Sequence, residues 1–129
     1  MGANKDKGTS AEREVVKYLR SAYWPHAERR ALTGRLDRGD VTGVIGVVFQ
    51  VKHVKQQRLA TWFKEVLEQA ANDGGSVPVL VVRTFRKNVR QWDTYVQLNW
   101  LLDEDIFPEE VFARMDLETV AHLLHKRGY

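Results

Sequence analysis

An α/β domain with a mixed central sheet flanked by helices is what this sequence predicts, on three observations. Two apolar segments, Val44 to Val54, rich in Val, Ile and Phe, and Val77 to Arg83, read as strands, the second of buried type. Between them, Arg58 to Asn72 places Leu59, Phe63, Val66, Leu67 and Ala70 at helical spacing. Helical patterns also open and close the chain, so helices and strands alternate as in a layered α/β domain.

The elements follow in order. Thr9-Ser10-Ala11-Glu12 fits a capping box, so a first helix is expected from there, with Ala11, Val15, Val16, Leu19 and Ala22 on its apolar face. Trp24-Pro25 ends it, because the residue before proline avoids helical backbone angles. His26 to Leu32 can run as a strand, and Thr33 to Gly43 is a polar loop punctuated by Gly34, Gly39 and Gly43. The strong strand and the second helix come next, and Gly74-Gly75 stops that helix. Beyond the buried strand, Phe85 to Arg90 is a basic turn and Trp92 to Leu98 another strand. Pro108 to Met115 and Asp116 to Lys126 read as two short helices, the second opened by an Asp cap and closed near Gly128. No repeat, low-complexity segment or linker divides the chain, and 129 residues suffice for one domain with a real core.

Composition narrows the function classes. The chain has no cysteine, which excludes disulfides, thiol catalysis and cysteine–zinc sites. No apolar run approaches the roughly 20 residues of a membrane span. Met1 to Gly8 lacks the apolar stretch of a signal peptide, so a cytosolic location is expected. Residues 1–58 hold 12 Lys and Arg against 6 Asp and Glu, whereas residues 59–129 hold 8 against 11. A basic first half suits a polyanion, though solvated surface charge explains the same count.

The chemistry gathers around Asp40 and Gln50-Val51-Lys52. Side chains alternate along a strand, so Gln50 and Lys52 share a face while Val51 and Phe49 turn into apolar packing. A polar pair on an otherwise apolar strand is costly without partners. Asp40, in the glycine-rich loop just before, can reach that pair. An acid, a metal-ligand position and a lysine at one strand end are what phosphodiester hydrolysis requires: carboxylates hold Mg²⁺, and lysine orients the nucleophile or stabilises developing charge.

Asp40, followed ten residues later by Gln-x-Lys on a strand, resembles the PD-(D/E)xK nuclease motif. Lys7-Gly8-Thr9-Ser10-Ala11-Glu12-Arg13-Glu14 is similar to the N-terminal helix of archaeal-type Holliday junction resolvases. Asp37-Arg38-Gly39-Asp40-Val41-Thr42-Gly43, with Gly46 to Lys52, resembles phage members, and Gly74-Gly75 before Val77 to Val82 matches the family's glycine turn. The likeness covers about residues 7–98, leaving 99–129 as a C-terminal helical extension of a single nuclease domain. It implies a restriction-endonuclease-like core and a Mg²⁺-dependent homodimer, with Mn²⁺ as a substitute ion, that nicks four-way DNA junctions. Carried over by position, Glu12 is the helix-borne acid, Asp40 the central metal ligand, Gln50 the Asp/Glu position and Lys52 the catalytic lysine. Glu12, Asp40 and Gln50 would form the metal set. Arg13 matches a basic residue after the helix acid, and Arg29, Arg30, Arg35 and Arg38 would hold DNA phosphates.

The family usually has Glu where this chain has Gln50. An amide offers a carbonyl oxygen but no charge, so metal binding and chemistry should be weaker. Three explanations stand: a tolerated natural Gln, a DNA binder without activity, or a nearly isosteric Glu→Gln inactivation. The plain alternatives are a capping role for Glu12, a turn role for Asp40 and an exposed edge strand for Gln50 and Lys52. Catalysis on linear or flapped DNA is a further alternative. His122 and His125 are read as surface or packing residues, and Trp62, Trp92 and Trp100 as core or interface aromatics. Gly34 and Gly39 lack the following Lys-Ser/Thr of a phosphate-binding loop, so no nucleotide cofactor is expected. Trp100, Leu101, Phe107 and Phe112 are candidates for the dimer interface, because two symmetric nicks call for two sites related by a two-fold axis.

Overall fold

The computed structural model describes residues 2–31 and 36–129, with side chains from Lys7 onward. It is an α/β domain with a mixed four-stranded sheet between helices. The first helix, α1, spans Gly2–Ala22. It begins well before the expected cap, so Thr9 to Glu12 lie inside the helix rather than at its start. Ala3, Lys5 and Lys7 are good helix formers, and extending an existing helix costs little, so the capping pattern does not set the boundary. The expected strand at His26 shrinks to β1, Glu28–Arg29, paired antiparallel with β2, Val41–Thr42; Leu32 lies outside the described residues.

The strong strand is β3, Val47–Lys52, shorter than the expected Val44 start because Gly43 and Gly46 take left-handed angles there. Helix α2, Leu59–Asn72, returns the chain so that β4, Val77–Val82, lies parallel to β3. Gly74 and Gly75 end α2 with φ of +81° and +86°. A basic turn and a short 3₁₀ segment, Val89–Gln91, lead to β5, Asp93–Gln97, antiparallel to β4.

The C-terminal third corrects the sequence expectation. Helix α3 is Leu98–Leu102, and the stretch expected as the helix Pro108 to Met115 instead supplies β6, Phe112–Asp116, antiparallel to β5. Ala, Arg and Met favour a helix locally, but pairing with β5 and the stacking of Phe112 on Phe63, with ring centroids 4.2 Å apart, outweigh that preference. The extension is therefore part of the sheet. Helix α4, Leu117–Lys126, starts where expected: the Thr119 backbone N–H donates to Asp116 Oδ1 at 2.7 Å.

The sheet order is β3-β4-β5-β6, so β3 has a free edge. Its alternation divides the core. Val47, Phe49 and Val51 pack with Ala11, Val15 and Leu19 of α1 and with Leu117, Val120 and Leu124 of α4. Val48 packs on the other face with Trp62, Val66 and Ala70 of α2. Gln50 and Lys52 thus belong to the α2 side, and Val51 lies between them facing α1.

Candidate functional site

The loop Leu36–Asp40 passes around the free edge of β3. Asp37 anchors it to α2: Gln69 Nε2 donates to Asp37 Oδ2 at 2.8 Å, and Asn72 Nδ2 donates to the Asp37 carbonyl at 2.9 Å. Gly39, at φ +89°, then runs so close to β3 that a Cβ there would lie 2.9 Å from the Phe49 carbonyl oxygen and 2.7 Å from Val48 Cγ1. Only glycine permits that approach. It brings Asp40 alongside the strand, where its N–H donates to the Phe49 carbonyl at 2.8 Å and its Oδ2 accepts from the Val51 N–H at 2.7 Å. The carboxylate therefore occupies an edge position that a neighbouring strand would otherwise fill, at the residue between Gln50 and Lys52.

Asp40 faces Glu12 of α1. Burial pushes the Asp40 carboxyl up to about 7, helped by the negative charge of Glu12 and opposed by the Val51 N–H. Two carboxylates in one partly dry place cannot both stay ionised cheaply without a cation. Arg29 supplies part of that charge, with Nη2 3.3 Å from Glu12 Oε2. Because Glu12 lies inside α1, it does not serve as the helix cap that the sequence pattern suggests.

The other two residues lie on the α2 face. Gln50 is 8% exposed, and its Oε1 is buried with no hydrogen-bond partner. Lys52 Nζ lies 2.9 Å from Glu65 Oε2 and 5.8 Å from the Trp62 ring centroid. The structure thus sets Glu12 close to Asp40 and bonds Asp40 to the β3 backbone at Val51, while the Gln50 and Lys52 side chains lie on the α2 face, opposite the face of β3 that packs on α1. Among the described residues no group of three His, Asp or Glu side chains is arranged to hold a metal.

The arginines divide. Arg29 is at the acid pair. The Arg30 backbone N–H donates to the Asp40 carbonyl at 2.8 Å, while its side chain lines a recess with Gly43 to Gly46 and Gly74-Gly75, its Nε buried without a partner. Arg13 and Arg38 are exposed, and Arg35 lies outside the described residues. The sequence singled out neither Glu65 nor Gln69, and it gave Asp37 and Trp62 no part in the site. Trp62 and Glu65, three apart on α2, carry a helical-spacing signal that places them on one face.

His122 and His125 pack against Tyr23: the Tyr23 hydroxyl lies 3.3 Å from His122 Nδ1, and the Tyr23 and His125 rings stack at 4.1 Å. Trp62 and Trp92 are buried in the core. Of the proposed interface residues, Phe112 is spent on Phe63, and Trp100 and Leu101 pack on the core; Phe107 remains exposed, near Leu102 and Ile106. No helix among the described residues is long and apolar enough to cross a membrane. No protein-family model matches this chain, and a search of curated proteins found no significant relative.

Proposed function

We propose that this chain is a metal-dependent endodeoxyribonuclease of the PD-(D/E)xK type, acting as a homodimer on four-way DNA junctions. The observation that carries it is the Asp40 carboxylate, held on the free edge of β3 by the Val51 N–H, within the Gln50-Val51-Lys52 segment and close to Glu12. The order α1, β1, β2, β3, α2, β4 supports a restriction-endonuclease-like core.

The residues fit a divalent cation. Glu12 and Asp40 cannot both be ionised cheaply without one, and Gln50, on the α2 face, keeps a buried acceptor with no donor, which costs about 1–3 kcal/mol. Asp40, Gln50 and Glu12 would hold the ion. When bound, magnesium supplies positive charge at the scissile phosphate and a more acidic water. Lys52 would place its ammonium at the phosphate as negative charge develops, leaving Glu65 to do so. Arg29 would hold a neighbouring phosphate, and Arg13, Arg30, Arg35 and Arg38 would extend the contact, so binding should fall steeply with salt.

Position 50 favours a second alternative, a DNA-binding module without catalysis. An amide stands where a charge is expected, and Lys52 is already paired. One assay separates the two: a labelled four-way junction, with linear duplex as control, incubated with Mg²⁺ or Mn²⁺. Paired nicks in the junction support the nuclease; junction binding without cleavage at any metal concentration supports the binder. Nicks in both substrates at equal rates point to another DNA structure as the target.

A further inference from the structure

Phe85 is the most exposed aromatic residue described, at 83%. It stands on a tight turn between β4 and β5 whose base is fixed on all sides. The Lys87 N–H donates to the Thr84 carbonyl at 3.2 Å, and the Trp92 indole N–H donates to the Lys87 carbonyl at 3.0 Å. Thr84 Oγ1 donates to the Val82 carbonyl and accepts from the Asp93 N–H at 2.8 Å. Arg86 takes a left-handed φ of 58°, a conformation that disfavours side chains other than glycine. A strained, well-anchored turn that ends in a bare phenyl ring is a feature the fold itself does not use.

The surroundings of the ring are cationic. From Arg83 to Trp92 the chain carries Arg83, Arg86, Lys87 and Arg90 and no carboxylate. Arg83 pairs with Glu14 and Arg90 with Glu118, whereas Arg86 and Lys87 make no salt bridge among the described residues. The Arg86 guanidinium lies 5.3 Å from the Phe85 ring centroid. The loop from His53 to Arg58, which leaves the same end of the sheet, adds Lys55 and Arg58 and again no acid. Because β3 and β4 are parallel, this end also carries Lys52, and the Arg83 N–H donates to the Lys52 carbonyl at 2.9 Å.

We propose that Phe85 is a stacking wedge that enters the opened base stack at a DNA branch point, with Arg86 and Lys87 on the flanking phosphates. This rests on the nuclease-type reading of the Lys52 edge only for the choice of branched DNA. A polyanion that also offers flat aromatic faces matches an exposed ring flanked by cations, because base–aromatic stacking is tolerant of sequence and cations track the backbone. A membrane surface would need a broad apolar face, which one ring does not provide.

The test uses the full chain in EDTA with a four-way junction carrying a fluorescent purine analogue at the branch, and a duplex carrying the same base. Native protein should change the fluorescence of the junction. Phe85→Ala should lose that change and about tenfold or more of its junction affinity, within the range typical of one stacked base, with duplex affinity unaltered. Phe85→Trp should keep both. An exposed ring contributes little to folding, so the melting curve of Phe85→Ala should match the native one. Equal junction affinity and equal fluorescence change in native and Phe85→Ala would overturn the wedge, and so would binding to anionic phosphatidylglycerol vesicles with no junction binding. Nicking in Mg²⁺, read separately, reports on the nuclease: nicking that ignores Phe85→Ala refutes the wedge alone. Phe85-dependent junction binding without nicking supports the wedge and counts against the nuclease.

Discussion

Replacing Asp40 by Asn should stabilise the metal-free protein at pH 8 and abolish nicking. The Asp40 carboxyl is pushed from its ordinary 3.8 to about 7 by burial and by Glu12. A carboxyl with a raised folded-state pKa binds its proton more tightly in the folded chain, so stability is fully present below pH 3.8 and is lost as pH rises to about 7. At about 1.4 kcal/mol per pH unit, that rise bounds the loss at about 4 kcal/mol. Asparagine is nearly isosteric, can still accept the Val51 N–H, and can donate to Glu12 in place of repelling it. The variant should therefore gain roughly 2–4 kcal/mol at pH 8, a rise in Tm of about 5–15 °C, and little at pH 4. Thermal and urea unfolding in EDTA at the two pH values measures this. Added Mg²⁺ should raise the native Tm at pH 8 and leave that of the variant unchanged. A variant less stable than native at pH 8 would refute the reasoning, because Asp40 would then be a bonded structural carboxylate rather than a repelled one.

Other outcomes follow from the same geometry. Lys52→Ala should lower the nicking rate by about a hundredfold or more, the scale of a lost charge at a developing anion, while costing under about 1 kcal/mol of stability, since the Glu65 partner is partly exposed; single-turnover rates and urea midpoints check both. Gly43→Ala should destabilise by more than about 2 kcal/mol, because φ is +87° and the added Cβ would meet the His26 carbonyl oxygen head-on; a urea midpoint equal to native would contradict this. Sedimentation at micromolar concentration should give a dimer, and a monomer would count against paired nicks.

What could be seen in the sequence was local. Helix α2 announced itself through the spacing of Phe63, Val66 and Ala70 and the Gly74-Gly75 stop, and α4 through the Asp116 cap. Strand β4 was visible as an unbroken apolar run. Strand β6 was not, because Ala113, Arg114 and Met115 favour a helix, and only pairing with β5, about 20 residues away, makes them a strand. The site divides in the same way. Asp40, Gln50 and Lys52 stood out because polar residues at a glycine loop and on one strand face are costly unless used. Glu12 was obscured by a capping pattern that the helix overruns. Glu65 and Asp37 could not be singled out, since an acid on a helix surface or in a loop gains meaning only from the partner that folding brings to it.

The role of position 50 is tested most directly by the nicking rate of a four-way junction as a function of Mg²⁺, for the native protein and for Gln50→Glu. A carboxylate places a full charge about 2 Å from a bound cation where the amide offers only a dipole. Gln50→Glu should reach half-maximal rate at lower Mg²⁺ and cut faster, with metal-free junction binding unchanged or slightly weaker. Equal rates and equal metal dependence, or no cleavage by either protein, would contradict the metal-ligand role proposed for Gln50.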